Sequence, residues 1–188
     1  AGRRPSVSDE LMVRQCAPTL AGIKTGSLFS CAYDSREKLL AEIRALNRRL
    51  VPKGLYLLPM RFGRRATLYL YRPDRLSRDL ADTLAAQLLA DAGYRPGNAG
   101  RCVAELARRL RAEGAFPHEV GLFLGYPPED VKGFIENRAA NFKCAGLWKV
   151  YGDEAQAQAL FRRYGACTAD YCRRMAQGCG LDKLAVAG

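Results

Sequence analysis

Apolar side chains recur along this chain at two periods, and the pattern changes near Tyr71. Residues 9–15 have the spacing of a short helix that Cys16-Ala17-Pro18 is expected to end. The run CAPTLAGIKTG reads as a loop and SLFSCAY as a strand. Asp34 or Ser35 is placed to cap a helix whose apolar positions Leu39, Leu40, Ile43, Leu46 and Leu50 share one face. Pro52-Lys53-Gly54 ends it. Two apolar and aromatic strands follow at 55–60 and 67–71, joined through Arg61-Phe62-Gly63-Arg64-Arg65, where glycine suits a tight turn. Pro59 has no N–H for a ladder, so its strand is expected at an edge.

Beyond Pro73 the period becomes helical. Leu76, Leu80, Leu84 and Leu88 repeat every four residues, predicting one long helix that Gly93 ends. Asn98 caps a second, with Val103, Leu106 and Leu110 inward and Arg101, Arg108, Arg109 and Arg111 outward. A third, over 153–177, follows Asp153 with Ala157, Phe161, Tyr164, Thr168, Tyr171 and Met175 on one face. Together these predict an α+β fold: a small three- to four-stranded sheet (strand-helix-strand-strand) with a helical C-terminal half. Residues 1–8 are expected to be a disordered start and 9–188 a single domain.

The stretch FPHEVGLFLGYPPEDVKGFIENRAANFKCAGLWKVYGD, residues 116–153, holds the one histidine and the one tryptophan. Pro117 suits a helix start, Gly125 a left-handed stop, and Pro127-Pro128 the start of a further helix with Glu129 and Asp130 in its first turn. LWKVY, between Gly146 and Gly152, reads as a strand. This stretch, with CAPTLAGIKTGSLF and YLYRP, resembles a bacterial family catalogued as a domain of unknown function and found mostly in anaerobic Firmicutes. The resemblance covers most of residues 10–178. Members of that family sit near iron-uptake or flavodoxin genes, so it implies an iron-linked or redox-linked role; it assigns no catalytic residue.

Composition narrows the setting. The 188 residues carry 30 Lys and Arg against 19 Asp and Glu, a formal net charge of +11, which implies attraction to something acidic, or simply an arginine-rich solvated surface. No apolar run approaches the roughly 20 residues needed to span a bilayer, and AGRRPSVSDE lacks an apolar signal core. A cytoplasmic protein is expected, with its seven cysteines as thiols.

No catalytic motif is present. His118-Glu119 lacks a second histidine four residues on, because position 122 is leucine, so no metal site is expected. His118 and Glu119 remain candidates for acid–base chemistry beside the plainer reading of caps at a helix start. The cysteines form no CxxC pair and read mostly as small buried hydrophobes. Cys16 is the exception, a candidate nucleophile in a loop with Lys24 near in sequence, since a reactive thiolate needs exposure and positive surroundings. Lys24, Cys144 and Trp148 are candidate ligand contacts. The loop AGIKTGS precedes a strand, the wrong order for a P-loop, and reads as a turn. Arg61, Arg64 and Arg65 flank Phe62 as a basic-aromatic finger, and Arg108, Arg109 and Arg111 add helical surface; these are the candidate partner contacts.

The leading expectation is an accessory protein of anaerobic iron or redox metabolism that binds an acidic, flavodoxin-like partner or a redox ligand of unknown identity. The alternatives are an enzyme using a cysteine or His118, and a nucleic-acid binder whose only sequence support is its charge.

Overall fold

The computed structural model describes residues 5–188. Its elements in chain order are α1 (Asp9–Leu20), β1 (Gly26–Cys31), α2 (Arg36–Leu50), a 3-10 turn (Val51–Lys53), β2 (Tyr56–Phe62) and β3 (Ala66–Tyr71). There follow α3 (Pro73–Leu80), α4 (Thr83–Asp91), α5 (Ala99–Arg111), α6 (Val120–Phe123), α7 (Pro128–Glu136), β4 (Cys144–Ala145), β5 (Lys149–Val150), α8 (Glu154–Ala176) and α9 (Leu181–Leu184). The fold is α+β. Its contacts separate into two compact units, residues 5–73 with Ala166–Gly188, and Asp74–Gly165. The division falls two residues past the change of pattern at Tyr71. Among the described residues, no helix is long and apolar enough to cross a membrane.

The first unit is built on an antiparallel sheet ordered β1-β3-β2. Phe29 lies opposite Leu68, and Leu57 opposite Leu70, so the period-two side chains of all three strands meet on one face. That face joins Met12, Val13, Cys16 and Leu20 of α1 and Leu39, Ile43, Leu46 and Leu50 of α2 in one buried core. β2 is an edge strand, where Pro59 costs no ladder bond, and the pairing shifts between Pro59 and Arg61. Asn47 of α2 covers part of that edge: its amide donates to the Leu57 carbonyl at 2.8 Å and accepts from the Leu57 N–H at 2.9 Å.

Three sequence expectations are corrected here. α1 does not stop near Gln15 but continues through Pro18 to Leu20, and so Cys16 lies in a helix, not a loop. The apolar face from Met12 to Leu20 is fully buried, and this outweighs the roughly 3 kcal/mol that a helical proline costs. The expected helix from Leu76 to Ala92 is two helices, because the Asp82 carboxylate accepts from the Leu84 and Ala85 N–H groups and starts α4 afresh. The strand expected over 147–151 contributes only Lys149–Val150, paired with Cys144–Ala145 in a two-stranded sheet of its own. At the N-terminus, residues 1–4 of the expected disordered start lie outside the described residues. Val7 is buried, and the Ser6 and Val7 N–H groups donate to the Glu42 carboxylate at 2.9 and 3.2 Å.

The second unit is organised by one carboxylate and one indole. Asp130, buried at the start of α7, accepts from the Tyr151 and Gly152 N–H groups at 2.9 and 2.8 Å and from the Trp148 indole N–H at 2.7 Å. This ties the β4–β5 turn to α7. Trp148 stacks on Tyr126 with ring centroids 4.6 Å apart and meets Phe161 edge-on at 4.5 Å. The approach is close enough that a Cβ on Gly133 would stand 2.2 Å from Tyr151, and one on Gly146 would stand 2.4 Å from Phe161. Gly125 has φ +77°, the left-handed stop expected of it, and Asp153 accepts from the Gln156 N–H at 2.9 Å as the expected cap of α8.

Candidate functional site

The sequence-derived candidates fall into two groups, one in each unit. In the first unit, the hairpin between β2 and β3 closes through the Gly63 N–H donating to the Arg65 carbonyl at 3.2 Å. Its aromatic residue, Phe62, meets Tyr33 edge-on at 5.8 Å, and the Tyr33 hydroxyl donates to the Gly63 carbonyl at 2.9 Å. The Arg36 guanidinium lies 4.9 Å from the Phe62 ring centre. Arg65 donates to the hydroxyl and carbonyl of Ser30, both at 3.2 Å, which holds it along β1. Arg61, Arg64 and Arg65 are exposed. No ion pair joins Arg36, Arg61, Arg64 or Arg65 to a carboxylate among the described residues. Arg36 was not among the sequence candidates. It opens α2, where the helix dipole disfavours a cation, and that unfavourable placement was the available signal.

Cys16 and Lys24 also belong to the first unit. Cys16 is fully buried, and burial pushes its thiol up to about 12 against the opposing pull of Lys24. The lysine is close by, as the sequence suggested, but the desolvated thiol favours its protonated form. Lys24 is pushed by burial down to about 8 and donates to the Gly26 carbonyl. Cys144, in the second unit, is partly exposed with its thiol shifted upward by desolvation first and the Glu154 carboxylate next.

In the second unit, the C-terminal end of α5, the 112–119 loop, α4 and α7 enclose an open cleft of about 680 Å³. Glu119, buried on its wall, accepts from the Tyr94 hydroxyl at 2.8 Å and from Arg109 at 3.2 Å, both on one carboxylate oxygen. Arg109 lies 4.1 Å from the Tyr94 ring centre and also donates to Glu105 at 2.8 Å. Arg108 makes a two-point contact with the same Glu105 at 2.7 and 2.9 Å. These hydrogen bonds hold the Glu105 carboxyl down to about 2, while burial and then the Glu119 hydrogen bond push the Tyr94 phenol up. Arg108 and Arg109 are therefore committed to internal carboxylates, whereas Arg111 is exposed with no ion pair among the described residues.

A smaller apolar slot of about 150 Å³ lies beside the cleft, bordered by Val120, Tyr126, Phe134 and Trp148. His118 and Phe116 border both cavities. His118 is exposed on the turn ahead of α6, not inside a helix as its neighbours' pattern suggested, and its ring lies 5.1 Å from that of Phe134. Phe116, Tyr126 and Phe134 went unmarked in the sequence because the bordering residues sit on separate turns and helices. Among the described residues, no three His, Cys, Asp or Glu side chains gather as a metal-binding group.

The fold and these sites define an α+β protein with an arginine-rich sheet end and an amphipathic cleft. The chain matches the model of the family described as "Protein of unknown function (DUF3793)" over residues 12–185, and it belongs to that family. No curated protein and no solved structure matches it.

Proposed function

We propose that this is a cytoplasmic accessory protein of iron or redox metabolism that acts by binding an acidic partner, with the hairpin end of the first unit as its contact surface. The observation that supports this is the grouping of Arg36, Arg61, Arg64 and Arg65 around Phe62, with no carboxylate paired to any of them among the described residues. Unneutralised arginines on one end of a sheet raise the encounter rate with an acidic surface, and an adjacent aromatic gives the encounter an apolar anchor. A flavodoxin-like electron-transfer protein is the partner class that suits both the charge and the setting implied by the family resemblance.

Stopped-flow association with an acidic flavodoxin, at low and at high salt, tests the reading. The paired substitution Arg61→Glu and Arg64→Glu is expected to lower the association rate about tenfold or more at low salt and to flatten its salt dependence. Association indifferent to both salt and charge reversal would sink the proposal. The same basic-aromatic surface suits stacked bases of a single strand. Salt-dependent retention of an oligonucleotide, with no binding of the acidic protein, would move the function to nucleic acid.

A further inference from the structure

The slot beside the cleft of the second unit has the dimensions and lining of a small-ligand site. We propose that it binds a flat, single-ring compound whose substituent accepts a hydrogen bond, with the ring in the slot and the substituent at His118. Phe116 and His118 line both cavities, so a ring seated in the slot has the His118 imidazole at its border. The slot's volume of about 150 Å³ equals that of an engineered apolar protein cavity known to admit benzene, which sets the ring size. Its border supplies flat partners: Trp148 stacked on Tyr126, and Phe134 with its ring centre 5.1 Å from that of His118. Phe116 at the mouth is 55% exposed, a large apolar surface that a ring would cover.

The polar groups around the slot narrow the substituent. The carboxylate of Asp130 already accepts three N–H groups. Lys149 donates to the Ala139 carbonyl and lies 4.7 Å from the Phe142 ring centre. In the cleft, Glu119 is held by Tyr94 and Arg109, and Lys132 lies 3.7 Å from Glu136. His118, which lines both cavities, makes no hydrogen bond to any described residue, and its ring lies 5.1 Å from that of Phe134. An acceptor on the ring gives that N–H a partner. A ring carboxylate offers two such acceptor oxygens.

This inference concerns the second unit alone, so it stands or fails separately from the arginine-rich end of the first. Trp148 is the only tryptophan and borders the slot, so its emission and its single indole N–H resonance report occupancy directly. Benzoate is the probe, and acetate, with the acceptor but no ring, is its control. Benzoate is expected to shift both signals saturably at about millimolar concentration, the range a ligand of its size reaches, while acetate leaves them unchanged. Val120→Phe, which adds bulk at the slot, is expected to abolish the response. His118→Ala, at an exposed position, is expected to weaken it about fivefold to tenfold, the loss of one hydrogen bond. No saturable shift with benzoate, an equal response to acetate, or a benzoate response unchanged in both variants would overturn the proposal.

Discussion

The guanidinium of Arg72 donates to the carbonyls of Thr19 at 2.9 Å, Leu20 at 2.8 Å and Val186 at 2.7 Å, with a longer contact of 3.5 Å to Lys53. Two of these carbonyls end α1, where the helix dipole presents partial negative charge, so a buried cation is held there by backbone. Lysine keeps the charge but lacks the planar fork that reaches several carbonyls at once. Arg72→Lys is therefore expected to lower stability by about 3 kcal/mol, read as a drop in the urea midpoint. Cys16 and Lys24 give a second expectation at this scale, in pH. The folded thiol titrates near 12 against an ordinary 9.0, and folded Lys24 near 8 against 10.5. Between about pH 8 and 10.5 the unfolded chain keeps a Lys24 proton that the folded chain has lost, so this lysine makes stability rise with pH. Above 9.0 the unfolded Cys16 loses a proton that the folded one keeps, so the thiol makes stability fall until about 12. The two oppose each other up to 10.5, and above it Cys16 acts in the same direction as the upward-shifted phenols of Tyr94 and Tyr126. Comparing the native chain with Cys16→Ala is expected to show a shallower loss above pH 10.5 in the variant, measured by urea midpoints. Equal slopes would mean that the thiol is not held protonated by the fold.

The boundaries between elements rest on short polar caps and close glycine contacts. Asp82 holds the first turn of α4 through two N–H groups, and Asp82→Ala is expected to cost about 1 kcal/mol, measured by thermal unfolding. Gly133→Ala is expected to cost more, about 2 to 3 kcal/mol, because the added methyl meets Tyr151 at 2.2 Å on a turn that Asp130 fixes. The sequence disclosed those elements whose signal is local. The Leu39–Leu50 face, the Asn98 and Asp153 caps, the edge position of Pro59 and the left-handed Gly125 are each set by residues within a few positions of one another. It misjudged α1, where a proline argued for a stop and long-range burial decided otherwise. It ran α3 and α4 together because the leucine period passes unbroken across Asp82. The same division runs through the sites. His118 and Trp148 stood out by rarity, and Arg61, Arg64 and Arg65 by clustering in sequence. Arg36 beside Phe62, and Tyr126 and Phe134 beside His118, come together only through packing between elements, which no local pattern encodes.

At the scale of the whole molecule, α8 is the element that enters both units. It is one helix of 23 residues, with Phe161 and Tyr164 packed near Trp148 in the second unit and Tyr171 in the core of the first. Gly165, where the two units divide, lies inside it, and a Cβ there would meet nothing within 4 Å. A glycine in a helix interior with open space around it costs backbone entropy and returns no packing. Gly165→Ala is therefore expected to stabilise the chain by about 0.5 to 1 kcal/mol. Helix formation is cooperative, since each added turn rests on its neighbour. The gain is thus expected both in Trp148 emission, which reads the second unit, and in far-ultraviolet circular dichroism, which reads helices throughout, with coincident midpoints. A rise in the tryptophan midpoint alone would mean that the helix melts in two parts and that Gly165 separates them. A fall in both would mean that the glycine meets a constraint its surroundings do not reveal.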